Sequence, residues 1–324
     1  MLGSLPYKTK QFLVVLIKLS IVVSAFYFII QKLLNNSELE FYVFVELLST
    51  NGLFSIKIIL LLLFLSILNW LFETLKWKTL VSSCLHIPFK NALEQSLGAL
   101  TASLITPNRI GEYGAKAIYF PKNYQNRIML LNLIGNMAQM TSTIVFGLVG
   151  LYILAEEHIL GLTQNNIILT SCFLMALFAI LFYVLTKLKL EIKGFSIQKV
   201  LKYIRSCPLS VLMNTLLFSM FRYLIFSLQF YFLLLIFSVE INYFEAMTII
   251  SSMYLLSSII PSIFMFDVVI KGSIAVYLFS MIGVNEFTIL TIVTLMWIYN
   301  LVVPSVVGSY FVLTFSIPKI QKTV

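Results

Sequence analysis

The chain has 324 residues, 60% of them hydrophobic and only 11% charged, and its mean hydropathy is +0.98. A soluble domain of this length needs far more charge on its surface, so composition excludes a water-soluble fold and predicts a polytopic membrane protein. The net charge of +9 does not indicate nucleic acid as a partner, because the basic residues sit between apolar runs, where cytoplasmic loops carry them.

Lys8 and Lys10 precede an apolar run over residues 11–34. The run is too long for the core of a cleaved signal and no small-residue cleavage site follows it, so it predicts a retained first span. Residues 40–51 mix Phe, Tyr and Leu with Glu46, the pattern of a short interfacial helix. A second span over 56–81 closes on Glu73, Lys76, Trp77 and Lys78, and tryptophan beside lysine marks the headgroup level. Residues 91–106 are apolar and rich in small side chains, yet short for a span. They stop at Pro107, and a second short helix is expected over 111–120. Two half-length helices joined by a Pro/Gly break predict a re-entrant hairpin or a discontinuous helix.

The third span, over 128–154, carries Asn132, Asn136, Gln139 and Thr143 in steps of four, three and four, which places them on one helix face. Such a stripe faces protein or water rather than lipid, as a pathway wall or as interhelical hydrogen-bonding groups. A fourth span covers 166–186. Residues 187–207 then hold five lysines and Arg205 against Glu191, and read as a basic cytoplasmic linker. The linker divides a single membrane domain, 1–324, into repeat 1 over about 55–186 and repeat 2 over about 208–316. The fifth span, 209–239, has Arg222 near mid-depth. Residues 243–260 form another short helix ending in Pro261, a further short helix follows over 267–282, and the sixth span, 286–315, contains Asn300 and Pro304.

Basic loops near Lys8, 76–90, 122–127, 187–205 and Lys319 fall on one side, and acidic loops at Glu38, Glu156 and Glu240 on the other. The positive-inside rule then puts both termini inside the cytoplasmic (inner) membrane. The pattern closes only if each broken segment returns to the side it entered, the first from the cytoplasm and the second from outside. The expected fold is an all-α integral membrane protein of six full spans plus two re-entrant hairpins arranged as an inverted repeat.

The two broken segments share a charge pattern. Pro107 precedes Glu112 by five residues and Lys116 follows four later; Pro261 precedes Asp267 by six and Lys271 follows four later. An acid four residues before a lysine pairs on one helix face, and such pairs either lock the hairpins or serve a substrate. Arg109 and Arg222 suit bidentate capture of a phosphate. Glu112 and Asp267 suit a cationic headgroup or a coupling proton. The expected substrate-binding set is therefore Arg109, Glu112, Lys116, Arg222, Asp267 and Lys271, with Asn132, Asn136 and Gln139 along the groove. Cys84, Cys172 and Cys207 are scattered, and His86 and His158 lack companions at ligand spacing. No metal, no cofactor and no nucleophile–base constellation is expected, which argues for a carrier rather than an enzyme. The expected partners are membrane lipids, with a proton as candidate coupling ion and a homo-oligomer as candidate assembly.

Trp77-Lys78, the short helix after it, and Pro107-x-Arg109-x-Gly111-Glu112 resemble the transmembrane family of lysylphosphatidylglycerol synthases. Pro261…Asp267, Gly283-Val284 and Asn300…Pro304…Gly308 are similar to that family's second half. The resemblance implies a lipid flippase domain. With no synthase domain before Val324, it implies a stand-alone member that translocates without synthesis. The second hairpin departs from the family pattern, with Ile263-Phe264-Met265-Phe266 and Asp267 where glycines and a glutamate are usual. The expected function is movement of a phosphate-bearing lipid headgroup, a phospholipid or aminoacyl-phospholipid, through a groove between the hairpins. A polyprenyl-phosphate-sugar flippase and an ion-coupled small-solute transporter are the alternatives.

Overall fold

The computed structural model describes residues 20, 23, 27, 46, 48–53, 55–104, 106, 109–156, 191–192, 195–259 and 267–316. Most of the expected span over 11–34, all of that over 166–186, both prolines of the two breaks and both chain termini lie outside the described residues, as does most of the interfacial segment 40–51.

Ten helices order the described part. They are α1 (Ile56–Ser82), α2 (Phe89–Ser103), α3 (Gly111–Ala117), α4 (Lys122–Glu156), α5 (Ile197–Ser206), α6 (Leu209–Ile236), α7 (Tyr243–Ile259), α8 (Asp267–Ser280), α9 (Glu286–Trp297) and α10 (Val303–Thr314). Among the described residues four stretches are long and apolar enough to cross a membrane: Ile56–Ser82, Lys122–Ala155, Leu209–Ile236 and Glu286–Thr314. Their outward faces carry large exposed apolar side chains at helical spacing, such as Met213, Leu217, Phe221 and Leu224 on α6. That inside-out distribution suits hydrocarbon as solvent.

The helix expected from residue 128 begins at Lys122 instead. Pro121 accepts the Tyr124 N–H at 2.9 Å, so the basic stretch 122–127 forms the first turns of α4 rather than a loop. The basic linker holds structure too. Glu191 pairs with Ser196 and Ile192 with Phe195 in a two-residue antiparallel ribbon (β1 Glu191–Ile192, β2 Phe195–Ser196), and α5 follows directly.

Helices α1 and α6 run antiparallel. Phe72 meets Phe218 and Phe221 with ring centroids 6.1 and 5.3 Å away, while Leu62, earlier on α1, accepts from Gln229, later on α6. The first broken element starts at the end of α1 and comes back to it. Ile87 and Ala92 at its entrance share a buried cluster with Phe120 and Ile128 at its exit and with Leu80 of α1. The second does the same at the end of α6, where Phe237, Ile241, Leu278 and Phe279 share another cluster. The two elements therefore hang from opposite ends of the antiparallel pair.

Helices α2 and α7 are short and enclosed by protein on nearly every side. Gln95 through Thr101 of α2 are all buried, as are Thr248 through Met253 of α7. Enclosure explains their small and hydroxylated residues, which let neighbouring backbones approach. A Cβ at Gly308 of α10 would collide with the Leu97 carbonyl of α2, and one at Gly150 of α4 would collide with Ser251 of α7. Thus α2 seats on α10, and α7 seats on α4.

The last span is not one regular helix. A π-helical segment, Ile298–Val302, joins α9 to α10, and the Val303 N–H reaches back five residues to the Ile298 carbonyl. Pro304 has no N–H to offer, which leaves the Tyr299 and Asn300 carbonyls without helical donors. Helix α1 supplies both: Ser66 Oγ donates to Tyr299 O at 2.5 Å and Trp70 Nε1 to Asn300 O at 3.1 Å.

Candidate functional site

The first break turns on one residue. Arg109 has φ +56°, the left-handed region that costs a side-chain-bearing residue roughly 1–2 kcal/mol. The Thr106 carbonyl accepts the Arg109 N–H at 3.1 Å and Thr106 Oγ1 accepts the Gly111 N–H at 2.9 Å, which closes the turn. Gly111 is required here, because an added Cβ would lie 2.7 Å from Thr106 Cγ2. A glycine or asparagine would relax the backbone at 109, so the arginine there carries a backbone cost that those residues would not.

Behind that turn lies a buried ionic cluster. Glu73, on α1, contacts Lys76 at 2.6 Å, Lys116 at 3.8 Å and Arg222 of α6. Glu112 contacts Lys116 at 2.7 Å and Arg109 at 3.5 Å. Lys116 also donates to Asn132 Oδ1 at 2.8 Å and lies 4.3 Å from the centre of the Trp77 ring, whose Nε1 donates to Gln95 at 2.8 Å. Four cations share two carboxylates, so the cluster holds two positive charges in excess. Glu73, Lys76 and Lys116 are buried, and the excess is carried by Arg109 and Arg222, whose side chains are 39% and 21% exposed, so it need not be matched inside the protein.

A polar chain extends the cluster across the molecule. Arg222 Nε donates to Asn69 Oδ1 at 2.9 Å, Asn69 Nδ2 to Asn300 Oδ1 at 2.8 Å, and Asn300 Nδ2 to Gln229 Oε1 at 2.8 Å. Every amide in that chain is satisfied, as a rigid buried network requires.

These groups border a partly open cavity of about 750 Å³. Arg109, Arg222 and Lys271 all line it, from the first break, from α6 and from α8. Asn136, Gln139 and Thr143 form part of its α4 wall, and Trp70, Tyr254 and Trp297 add aromatic surface. Met137 and Met140 line it as well and are 51% and 42% exposed, so this wall reaches the outer apolar face of α4.

Of the residues expected from sequence, Arg109, Arg222, Lys271, Asn136 and Gln139 therefore border one space. Glu112, Lys116 and Asn132 do not line it; they stand behind Arg109 in the ionic cluster. Asp267 opens α8, but its side chain lies outside the described residues. Sequence reasoning missed Glu73 and Lys76 as members of the cluster, together with Asn69, Gln229 and Asn300. The signal was present: Asn69, Glu73 and Lys76 recur at i, i+4 and i+7 on an apolar helix, the same one-face spacing that singled out the α4 stripe. Among the described residues no three His, Cys, Asp or Glu side chains gather as a metal site.

The family model described as the lysylphosphatidylglycerol synthase TM region matches residues 15–308. No curated protein and no solved structure matches the chain.

Proposed function

The chain belongs to the lysylphosphatidylglycerol synthase transmembrane-region family, and on that premise we propose that it is a lipid flippase, a carrier rather than an enzyme, for a phosphate-bearing headgroup. The observation that carries the reading is the convergence of Arg109, Arg222 and Lys271 on one cavity inside an apolar protein. Guanidinium groups bind phosphate oxygens bidentately, and an excess of positive charge at the edge of a cavity favours an anion. The exposed Met137 and Met140 on the cavity wall support a lateral opening through which acyl chains stay in the bilayer, as a flippase needs and a closed solute carrier does not.

The antiparallel α1–α6 pair and the two elements hanging from its opposite ends support an inverted repeat of two re-entrant hairpins. In this reading six spans cross the inner membrane with both termini in the cytoplasm, and the headgroup passes between the hairpin tips. A proton remains the candidate coupling ion.

The test is translocation of fluorescent phosphatidylglycerol in proteoliposomes, wild type against Arg109→Ala and Arg222→Ala. Loss of one charged hydrogen bond to the phosphate, worth about 1.5–3 kcal/mol, slows transfer roughly tenfold or more. Undiminished transfer in both variants removes the cavity from the mechanism.

A further inference from the structure

Resting on the flippase reading, we infer that Asn69 is a positioning residue: it aims the Arg222 guanidinium at the headgroup phosphate without cancelling its charge. Two α1 side chains one helical turn apart hold that guanidinium. Asn69 Oδ1 accepts from Nε at 2.9 Å, and Glu73 accepts from Nη1. Held at two of its three nitrogens, the planar group at the cavity border is oriented before any ligand arrives. The two partners differ in what they supply. Glu73 brings a negative charge and shares it with Lys76 and Lys116, whereas Asn69 is neutral and brings direction alone.

The polarity of the amide chain behind Asn69 is set from both ends. Arg222 Nε can only donate, which turns Asn69 Oδ1 towards it and Asn69 Nδ2 towards Asn300 Oδ1. At the far end Asn300 Nδ2 donates to the Met296 carbonyl at 3.1 Å, and Gln229 Nε2 donates to the Leu62 carbonyl at 3.3 Å. A backbone carbonyl can only accept, so both ends demand one orientation of all three amides. Turning any one of them over would strand a partner inside the protein. The π-helical segment carries Asn300, and Trp70 donates to the Asn300 carbonyl while its ring centre lies 5.6 Å from Arg222 Cζ. The irregular turn of the last span thus braces the residue that braces Arg222.

The test is a double-mutant cycle on the full chain in a maltoside detergent that carries no phosphate. Wild type, Asn69→Ala, Arg222→Ala and the double variant are titrated with short-chain phosphatidylglycerol. Asn69→Ala removes no charge, so it is expected to weaken binding about fivefold beside Arg222, as the loss of one hydrogen bond does, and to change nothing once residue 222 is alanine. An equal loss in both backgrounds overturns the assignment, because a merely structural asparagine matters whether or not Arg222 is present. Asn69→Asp keeps the shape and the acceptor should the alanine variant misfold. It is expected to bind as weakly as Arg222→Ala, since its carboxylate cancels the guanidinium charge, and binding as tight as wild type overturns the claim that neutrality at 69 matters. Wild type that binds no better than Arg222→Ala refutes the headgroup reading and the assignment together, whereas absent coupling alone leaves that reading standing.

Discussion

Replacement of Glu73 by glutamine removes one negative charge and almost no volume, so its effect reads the electrostatics of the buried cluster alone. Glu73 is 6% exposed and serves Lys76, Arg222 and Lys116 together. At an effective dielectric of about 20, the contact with Lys116 at 3.8 Å alone corresponds to about 4 kcal/mol of attraction before desolvation is subtracted. The variant raises the excess from two positive charges to three and leaves the buried Lys76 without its carboxylate. Removing one partner from a buried pair costs about 3–5 kcal/mol in measured cases. That corresponds to a fall in Tm on the order of 10 °C, read by thermal unfolding in detergent. Adding Lys116→Met to Glu73→Gln withdraws one surplus cation and should restore part of the loss. A Tm for Glu73→Gln within about 2 °C of wild type, or a double variant no better than the single one, would refute the reasoning.

Arg109→Gly relieves a left-handed backbone at φ +56° and loses an exposed ion pair at 3.5 Å, so thermal stability should hold or rise while lipid transfer falls, as paired unfolding and transfer assays would show. Gly308→Ala drives a methyl group into the Leu97 carbonyl and should sharply lower the folded yield by size-exclusion chromatography, whereas Gly114→Ala, with open space around it, should fold normally. Cys84 lies in the turn between α1 and α2, and burial holds its thiol above the ordinary range. In a Cys172→Ser, Cys207→Ser background its maleimide labelling should accelerate by roughly tenfold per pH unit across neutrality. In intact cells only the membrane-permeant reagent should reach it, and labelling by an impermeant one would reverse the proposed orientation.

The first break was legible because Pro107, Arg109, Gly111 and Glu112 are anomalies in an apolar sequence, and anomalies at membrane depth need a local reason. The α4 stripe was legible because its spacing is intrinsic to one helix. Glu73 and Lys76 were hidden by their neighbours: beside Trp77 and Lys78 they resemble headgroup anchors, and only the fold of α3 back onto α1 makes them interior. The π-helical segment was hidden for a different reason. Pro304 announces that carbonyls are orphaned, but the donors that rescue them, Ser66 and Trp70, lie more than 200 residues earlier. The start of α4 was misplaced because charge was read as loop, a reading that the helix dipole favours, whereas Arg127 is held in the second turn by the Tyr203 hydroxyl at 2.8 Å.

The glycine seams at Gly308 and Gly150 carry a further implication for how the molecule can move. The short helix that follows α1 is clasped by α10, and the short helix that follows α6 is clasped by α4, so the segments 55–156 and 209–316 hold one another like linked arms. Pulling them apart would strip the hydroxyl-rich flanks of α2 and α7 bare in oil. If the proposed transport takes place, both clasps stay shut through it, and the slack that admits a headgroup comes from gliding along the seams rather than from a hinge between two blocks.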